Sequence, residues 1–502
     1  MASCMVDCGR MLGQLKVKEM HMSIFYKPAN AYVGDVIPFF DKGLFKPFYL
    51  KIWRDYSGKD RIDGWHMLTT SDHVHFTERP TGIEGGTGSV LEIDGLYHMF
   101  YCKFDFDYSP VKQMICHAVS KNLEVWEELP EETFTADGII YELSDWRDPF
   151  VFWNEEAEEY WMLVSTQLCG RTMRKGCVGL CTSRDLKKWE YRPPFYAPGI
   201  HQSAHECADL FKMGDWYYLI YSAYTDRFQT YYRMSRSLNG PWITPEVDTF
   251  DTRAFYAAKT GTDGRNRYLY AWNPTREYNM WQFNAQQNRG KDYNTWDWGG
   301  SMVVHLLHQN ADGTLGVSAL PSVDELFAQP QPIEYDVLAG NLTLNKCTAG
   351  VVSPYSYSSI LLNTIPDSCR LSLDFTFETP IRQFGVALQV GEAFSMGYYL
   401  CFEPARGRVQ YKTGLRMYED GGKMFPYEVE MERPLKLVPN KRHHLCLYIE
   451  DSILEVYIDN EVALSTRMFD YKHRRIGLFV SEGSANFENI SIAVPTKTDV
   501  LY

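Results

Sequence analysis

The chain has 502 residues, 45% of them hydrophobic and 23% charged, the balance of a folded soluble protein with two or three domains. Its net charge of −14 argues against nucleic acid or an anionic membrane surface as a partner, since basic patches hold both. The N-terminal stretch MASCMVDCGRMLGQLKVKEMHMS lacks the apolar core of a signal peptide, no later stretch is apolar enough to span a bilayer, and the 12 cysteines are scattered; a cytoplasmic chain with reduced thiols is expected. Residues 1–25 read as an arm. A repeat then takes over: a short apolar-aromatic strand after an acidic-glycine turn, as DKGLFKPFYL (41–50), EIDGLYHMFY (92–101), EEAEEYWMLV (155–164), KMGDWYYLIY (212–221) and TDGRNRYLYAW (262–272). A second phrase, a strand followed by Ser and a polar pair, follows four of them, as MLTTSDHVHF (67–76), HAVSKNLEVW (117–126), LCTSRDLKKW (180–189) and RMSRSLNGPW (233–242). Five such units at about 50 residues each predict a five-bladed β-propeller over 26–327. Residues 328–345 carry prolines and read as a linker. Period-two alternation returns over 346–497, as in RLSLDFTFET and HHLCLYIEDSILEVYIDN, and predicts an antiparallel β-sandwich, with 498–502 as a tail. The whole chain is expected to be all-β.

A propeller gathers the starts of its innermost strands around one central pocket. Three acids stand at such starts. Asp35 lies in AYVGDVIPFF, before the first blade's repeat, where a Gly-Asp pair alone means only a turn. Asp148 lies in SDWRDPFVFW; Pro149 suits a strand start, and Arg147 offers a fork of donors for hydroxyls or a carboxylate. Glu206 lies in the apolar run of HECADLF, where desolvation raises a carboxyl's pKa and suits a general acid. Two carboxylates flanking a glycosidic bond are the usual machinery for its cleavage. Metal ligation is not expected: Cys177 and Cys181 lack a second pair, and the histidines at 66, 73, 75, 201 and 205 fall on strand faces. No cofactor is expected.

WRDP (146–149) and HECADLF (205–211), with TGSV (87–90), AFYAAKTGTDGRNRYLYAWN (254–273) and DSILEVYIDN followed by STRMF, resemble the boxes of glycoside hydrolase family 32, the invertase, inulinase and levanase group. The resemblance spans nearly the whole chain. It implies Asp35 as nucleophile, Asp148 as transition-state stabiliser and Glu206 as acid/base in a retaining β-fructofuranosidase. The expected substrate is sucrose or short fructo-oligosaccharides, and the expected intermediate a fructosyl-enzyme ester. Arg147, Ser89, Tyr256 and Trp272 are implied as pocket residues, and Trp53 and His205 are further candidates for substrate contact. The chain departs from the family pattern at Gly34, where Asn is usual, at Leu50, where Gln is frequent, and at His205 and Ala208. These departures bear on the substrate more than on the reaction. Three other readings stay open on the sequence: fructosyl transfer or processing of difructose dianhydrides, an inverting arabinanase- or xylosidase-like propeller, and a non-catalytic carbohydrate-binding propeller. The sandwich is expected to pack on the propeller, and it is the surface through which a homo-oligomer would form.

Overall fold

The computed structural model describes residues 18–53, 62, 64–109, 111–275, 298–345, 347–413 and 429–496. Five antiparallel blades follow one another. Blade 1 runs Ala31–Ile37, Phe48–Trp53, Trp65–Thr69 and His75–Pro80 from the inside outward, and Lys18–Met22, in the expected arm, adds a strand at its outer edge. Blade 2 starts at Gly86–Ile93, blade 3 at Tyr141–Asn154, blade 4 at Glu206–Met213 and blade 5 at Tyr256–Thr262. These first strands touch their neighbours around the ring, and the fifth returns to the first. Closure is completed where Val33 of blade 1 pairs with Gly300 of blade 5.

The repeated phrases have direct physical counterparts. The acidic-glycine phrase supplies the left-handed residues of the inner hairpins, as at Asp94 and Gly95, with φ of 51° and 81°. The Ser-containing phrase is a turn stitched by side chains. Ser120 Oγ accepts from the backbone N–H of Asn122 and Leu123, and Asn122 Oδ1 from those of Glu124 and Val125. Ser183 with Asp185 and Thr70 with Asp72 repeat it. In each turn the next residue, Leu123, Leu186 or His73, takes a φ of 62–64°; the side-chain bonds hold this uncommon conformation.

Aromatic rings fill the space between blades. Trp65, Trp146 and Trp272 are fully buried, and Phe100 of blade 2 meets Trp189 of blade 3 edge-on at a centroid distance of 5.7 Å. Each such pair contributes about 0.5–1.5 kcal/mol beyond area burial. The ten described cysteines are free thiols, eight of them buried.

The sandwich is organised by one long strand, Arg475–Val494. Its first half pairs with Gln383–Val390 and its second half with Ser368–Glu378, so it passes from one sheet to the other. The segment 328–345, read as a linker, carries three short strands. Gln329–Gln331 pairs with the far end of the long strand, while Asp336–Ala339 and Asn341–Asn345 pair with Thr348–Thr364. Pro330 is tolerated because it sits on an edge strand.

Buried polar groups join the two domains. Arg467 donates from Nε to Asn273 Oδ1 and Pro274 O, both at 2.8 Å, and from Nη2 to Asn273 O at 3.1 Å and Ser301 Oγ at 3.1 Å. Asp251 accepts from Ser465 N and Oγ, both at 2.6 Å. The ligand atoms of Asp251, His305 and Glu455 lie within 4.8 Å of one another. However, His305 Nε2 is engaged by Asp251 at 2.9 Å and Nδ1 by the Tyr457 hydroxyl at 2.8 Å, so the cluster is a hydrogen-bonded lock between domains. No helix among the described residues is long and apolar enough to cross a membrane.

Candidate active site

Every innermost strand carries one extra residue. Gly34 and Asp35 lie opposite Leu50 alone, Asp148 and Pro149 opposite Val164, Cys207 and Ala208 opposite Tyr221, and Ala257 and Ala258 opposite Ala271; in blade 2 Thr87 is the extra residue. A β-bulge turns a side chain off the regular alternation. Here five bulges turn theirs toward the axis of the ring. Asp148, Cys207 and Ala257 hold φ of 54°, 54° and 59°. Each such residue costs about 1–3 kcal/mol and persists only where its surroundings fix it.

The three acids converge. Asp35 is 9% exposed. Its Oδ1 accepts from Trp272 Nε1 at 2.9 Å, and its Oδ2 accepts from the Thr87 hydroxyl. Asp148 Oδ2 accepts from the backbone N–H of Cys207 at 3.0 Å. The Cys207 thiol lies between the two aspartates, 3.8 Å from Asp35 Oδ2 and 3.9 Å from Asp148 Oδ2. Glu206 Oε1 accepts from Arg147 Nη2 at 2.9 Å and Oε2 from the Tyr256 hydroxyl at 2.6 Å. Arg147 also pairs with Asp145, and Gln113 anchors the segment by accepting from Trp146 N at 2.8 Å and donating to Ser144 O at 2.9 Å. The Glu206 side chain is 18% exposed and that of Asp148 5%, so Glu206 is the carboxyl nearer the mouth.

Burial and neighbouring charges act strongly on the titrating groups of the site. Burial, and then the neighbouring Asp148 charge, raise Asp35 from 3.8 to about 7, although the Thr87 and Trp272 bonds pull it down. Burial also raises Glu206; Arg147 opposes this and Asp148 adds to it. Burial works against the charge on Arg147, but Glu206 and Asp148 more than restore it. Burial and the two aspartates keep the Cys207 thiol protonated. The result is two carboxyls pushed toward their protonated forms, Asp35 in spite of the two donors that fix it, and an arginine that stays charged between acids. Such a set can attack an electrophilic carbon, deliver a proton and stabilise positive charge.

The other candidates separate into two groups. Arg147, Tyr256 and Trp272 touch the carboxyls. Ser89 does not touch them: its Oγ accepts from Val151 N at 3.1 Å and ties blade 2 to blade 3. Trp53 donates from Nε1 to Ile62 O at 3.1 Å and carries Lys51 over its ring. His205 is fully buried, bonded to His201 at 3.0 Å and stacked on Tyr221 at 4.4 Å; its ring lies inside the fourth blade, on the face opposite to its neighbour Glu206, whose carboxylate meets Arg147 and Tyr256. Thr87, Gln113 and Asp145 were not singled out from the sequence. Thr87 stands in the same TGSV box as Ser89, and only the bulge decides which of the two faces the axis.

Residues 26–315 match the glycosyl hydrolases family 32 N-terminal domain, and residues 345–494 match the family 32 C-terminal domain. The chain is 22% identical to a sucrose-6-phosphate hydrolase of Escherichia coli over 465 residues, 84% of each chain. In fold it resembles an exo-inulinase from Aspergillus awamori (TM-score 0.68, 15% identity, 96% of this chain and 98% of that one). It also resembles a Bombyx mori β-fructofuranosidase (TM-score 0.62, 17% identity, 95% and 93%). The propeller, the sandwich and both domain matches give one answer: the chain belongs to glycosyl hydrolase family 32 and is a glycoside hydrolase.

Proposed function

We propose that the protein is a retaining β-fructofuranosidase acting on sucrose or short fructo-oligosaccharides. The carrying observation is the division of labour between Asp35, gripped at both oxygens by Thr87 and Trp272, and Glu206, held by Arg147 and Tyr256 nearer the mouth. Relatives named as a sucrose-6-phosphate hydrolase, a raffinose invertase and an exo-inulinase support the fructoside. In the first step an oxygen of ionised Asp35 attacks the anomeric carbon of the fructosyl unit. Glu206 gives its proton to the glycosidic oxygen as that bond breaks, and an ester to Asp35 forms. In the second step Glu206 takes a proton from water, whose oxygen attacks the same carbon and releases Asp35. Asp148, held by the Cys207 amide, faces the positive charge that develops on the sugar in both steps. Arg147 and Tyr256 keep Glu206 aimed.

Proton NMR of the first-formed product from sucrose tests this reading. β-Fructofuranose appearing before the equilibrium mixture is the expected result, and the inverted anomer would refute it. Glu206→Gln with an activated aryl fructoside should accumulate one fructosyl group on the peptide containing Asp35.

A further inference from the structure

Among the described residues, the polar groups of the site are unevenly placed. Thr87, Arg147, Asp148, Glu206, Tyr256 and the Trp272 N–H all belong to blades 2 to 5. Beside the nucleophile on blade 1 stand Gly34 and, opposite the bulge, Leu50. A Cβ on Gly34 would lie 2.3 and 2.7 Å from Cη2 and Cζ3 of Trp298 and 3.1 Å from Leu50 Cβ. The φ of Gly34 is outside the left-handed region, so its backbone does not call for glycine; the indole does. Trp298 is half-buried and packs against the group formed by Cys207, Tyr256 and Trp272, with its centroid 5.8 Å from that of Trp272. Phe228 extends this aromatic surface, stacked on Tyr256 at 4.0 Å.

A sugar ring seated against Asp35 would have charged groups along one edge and, on the Gly34 side, the indole along the other. An aromatic face binds carbon-bound hydrogens and cannot replace a carboxylate or guanidinium as a partner for a hydroxyl. We propose that Trp298 determines which fructosyl unit is accepted: it holds one edge of the ring by apolar contact, leaves the hydroxyl there unread, and admits a unit in which that hydroxyl is missing or substituted. This rests on the fructosidase reading. A site built to hydrogen-bond a hydroxyl rejects the analogue lacking it by a factor on the order of 10⁴, whereas an apolar wall discriminates weakly.

The test uses p-nitrophenyl β-fructofuranoside and its monodeoxy analogues, each lacking one fructosyl hydroxyl. They are assayed with the full-length chain, Trp298→Ala, Gly34→Asn and the double variant, after thermal unfolding has shown each to be folded. One deoxy analogue should be turned over by the unchanged enzyme within about threefold of the parent, while the others fall by orders of magnitude. Trp298→Ala should raise KM for the parent about tenfold and leave kcat within about twofold. Gly34→Asn alone should lose at least tenfold in kcat/KM through collision with the indole. The double variant should recover part of that loss and reject the tolerated analogue by about tenfold. The proposal is overturned if every deoxygenation costs the unchanged enzyme orders of magnitude, or if Trp298→Ala slows all substrates equally. Absence of turnover on every fructoside would sink the fructosidase reading and this one with it.

Discussion

Replacing Asp35 with Asn should stabilise the protein while destroying its activity, and the gain should depend on pH. In the folded chain the Asp35 carboxyl titrates at about 7 against an ordinary 3.8, and each pKa unit corresponds to about 1.4 kcal/mol. Holding the ionised carboxylate in its buried place thus costs about 4 kcal/mol at and above pH 7. The direction follows from the raised pKa. Well below pH 4 the group is protonated in both the folded and unfolded chain and contributes no penalty, and at pH 4 the penalty is still below about 1 kcal/mol. As pH rises toward 7 the unfolded chain releases the proton first, and folded stability falls. Asn carries no charge, and its carbonyl can still accept from Trp272 Nε1. Denaturant unfolding of both proteins at pH 4, 6 and 8 reads the effect. The variant is expected to match the parent at pH 4 and exceed it by about 2–4 kcal/mol at pH 8, with turnover abolished. Equal differences at pH 4 and pH 8, or a variant less stable at pH 8, would show that Asp35 is not held as described.

Because Asp35 must be ionised to attack, the acid limb of kcat/KM should lie near pH 7. Asp148→Asn removes a neighbouring charge and should move that limb down, whereas Thr87→Val removes a bond that favours the ionised form and should move it up; pH–rate profiles on an aryl fructoside check both. Tyr256→Phe removes a bond that lowers Glu206, so the basic limb should shift upward while kcat/KM for sucrose drops about tenfold. Arg467→Ala leaves buried acceptors on Asn273, Pro274 and Ser301 without their donor. It should cost about 3–5 kcal/mol in thermal or denaturant unfolding, and it should lower kcat as well, since Asn273 adjoins Trp272.

What the sequence disclosed was what repeats. Asp94-Gly95 and the Ser120 and Ser183 turns recur because each blade must reverse direction in the same way, and local backbone chemistry is written in residue types. Asp35, Asp148 and Glu206 were legible because each lies just ahead of such a recurring phrase, in the first strand of its blade. What stayed hidden depends on register and on distant packing. A bulge is one surplus residue counted against a partner strand, so nothing local separates Thr87 from Ser89. Gly34 looked like a lost contact until Trp298, more than two hundred residues later, filled the space beside it. The strands within 328–345 were hidden for the same reason: their partners, Thr348–Thr364 and Arg475–Val494, supply the order that their own composition lacks.

The five surplus residues also bear on how such a centre can change. Side chains along a strand alternate between two faces, so removing one residue at a bulge shifts the reading frame of everything before it and turns a carboxyl from the axis into the blade. Activity on this ring can therefore be lost, or a new side chain brought to the axis, by a single-codon deletion or insertion that alters no residue type at all. A family tree scored by substitutions would overlook such events, whereas one aligned on the strand opposite each bulge would record them.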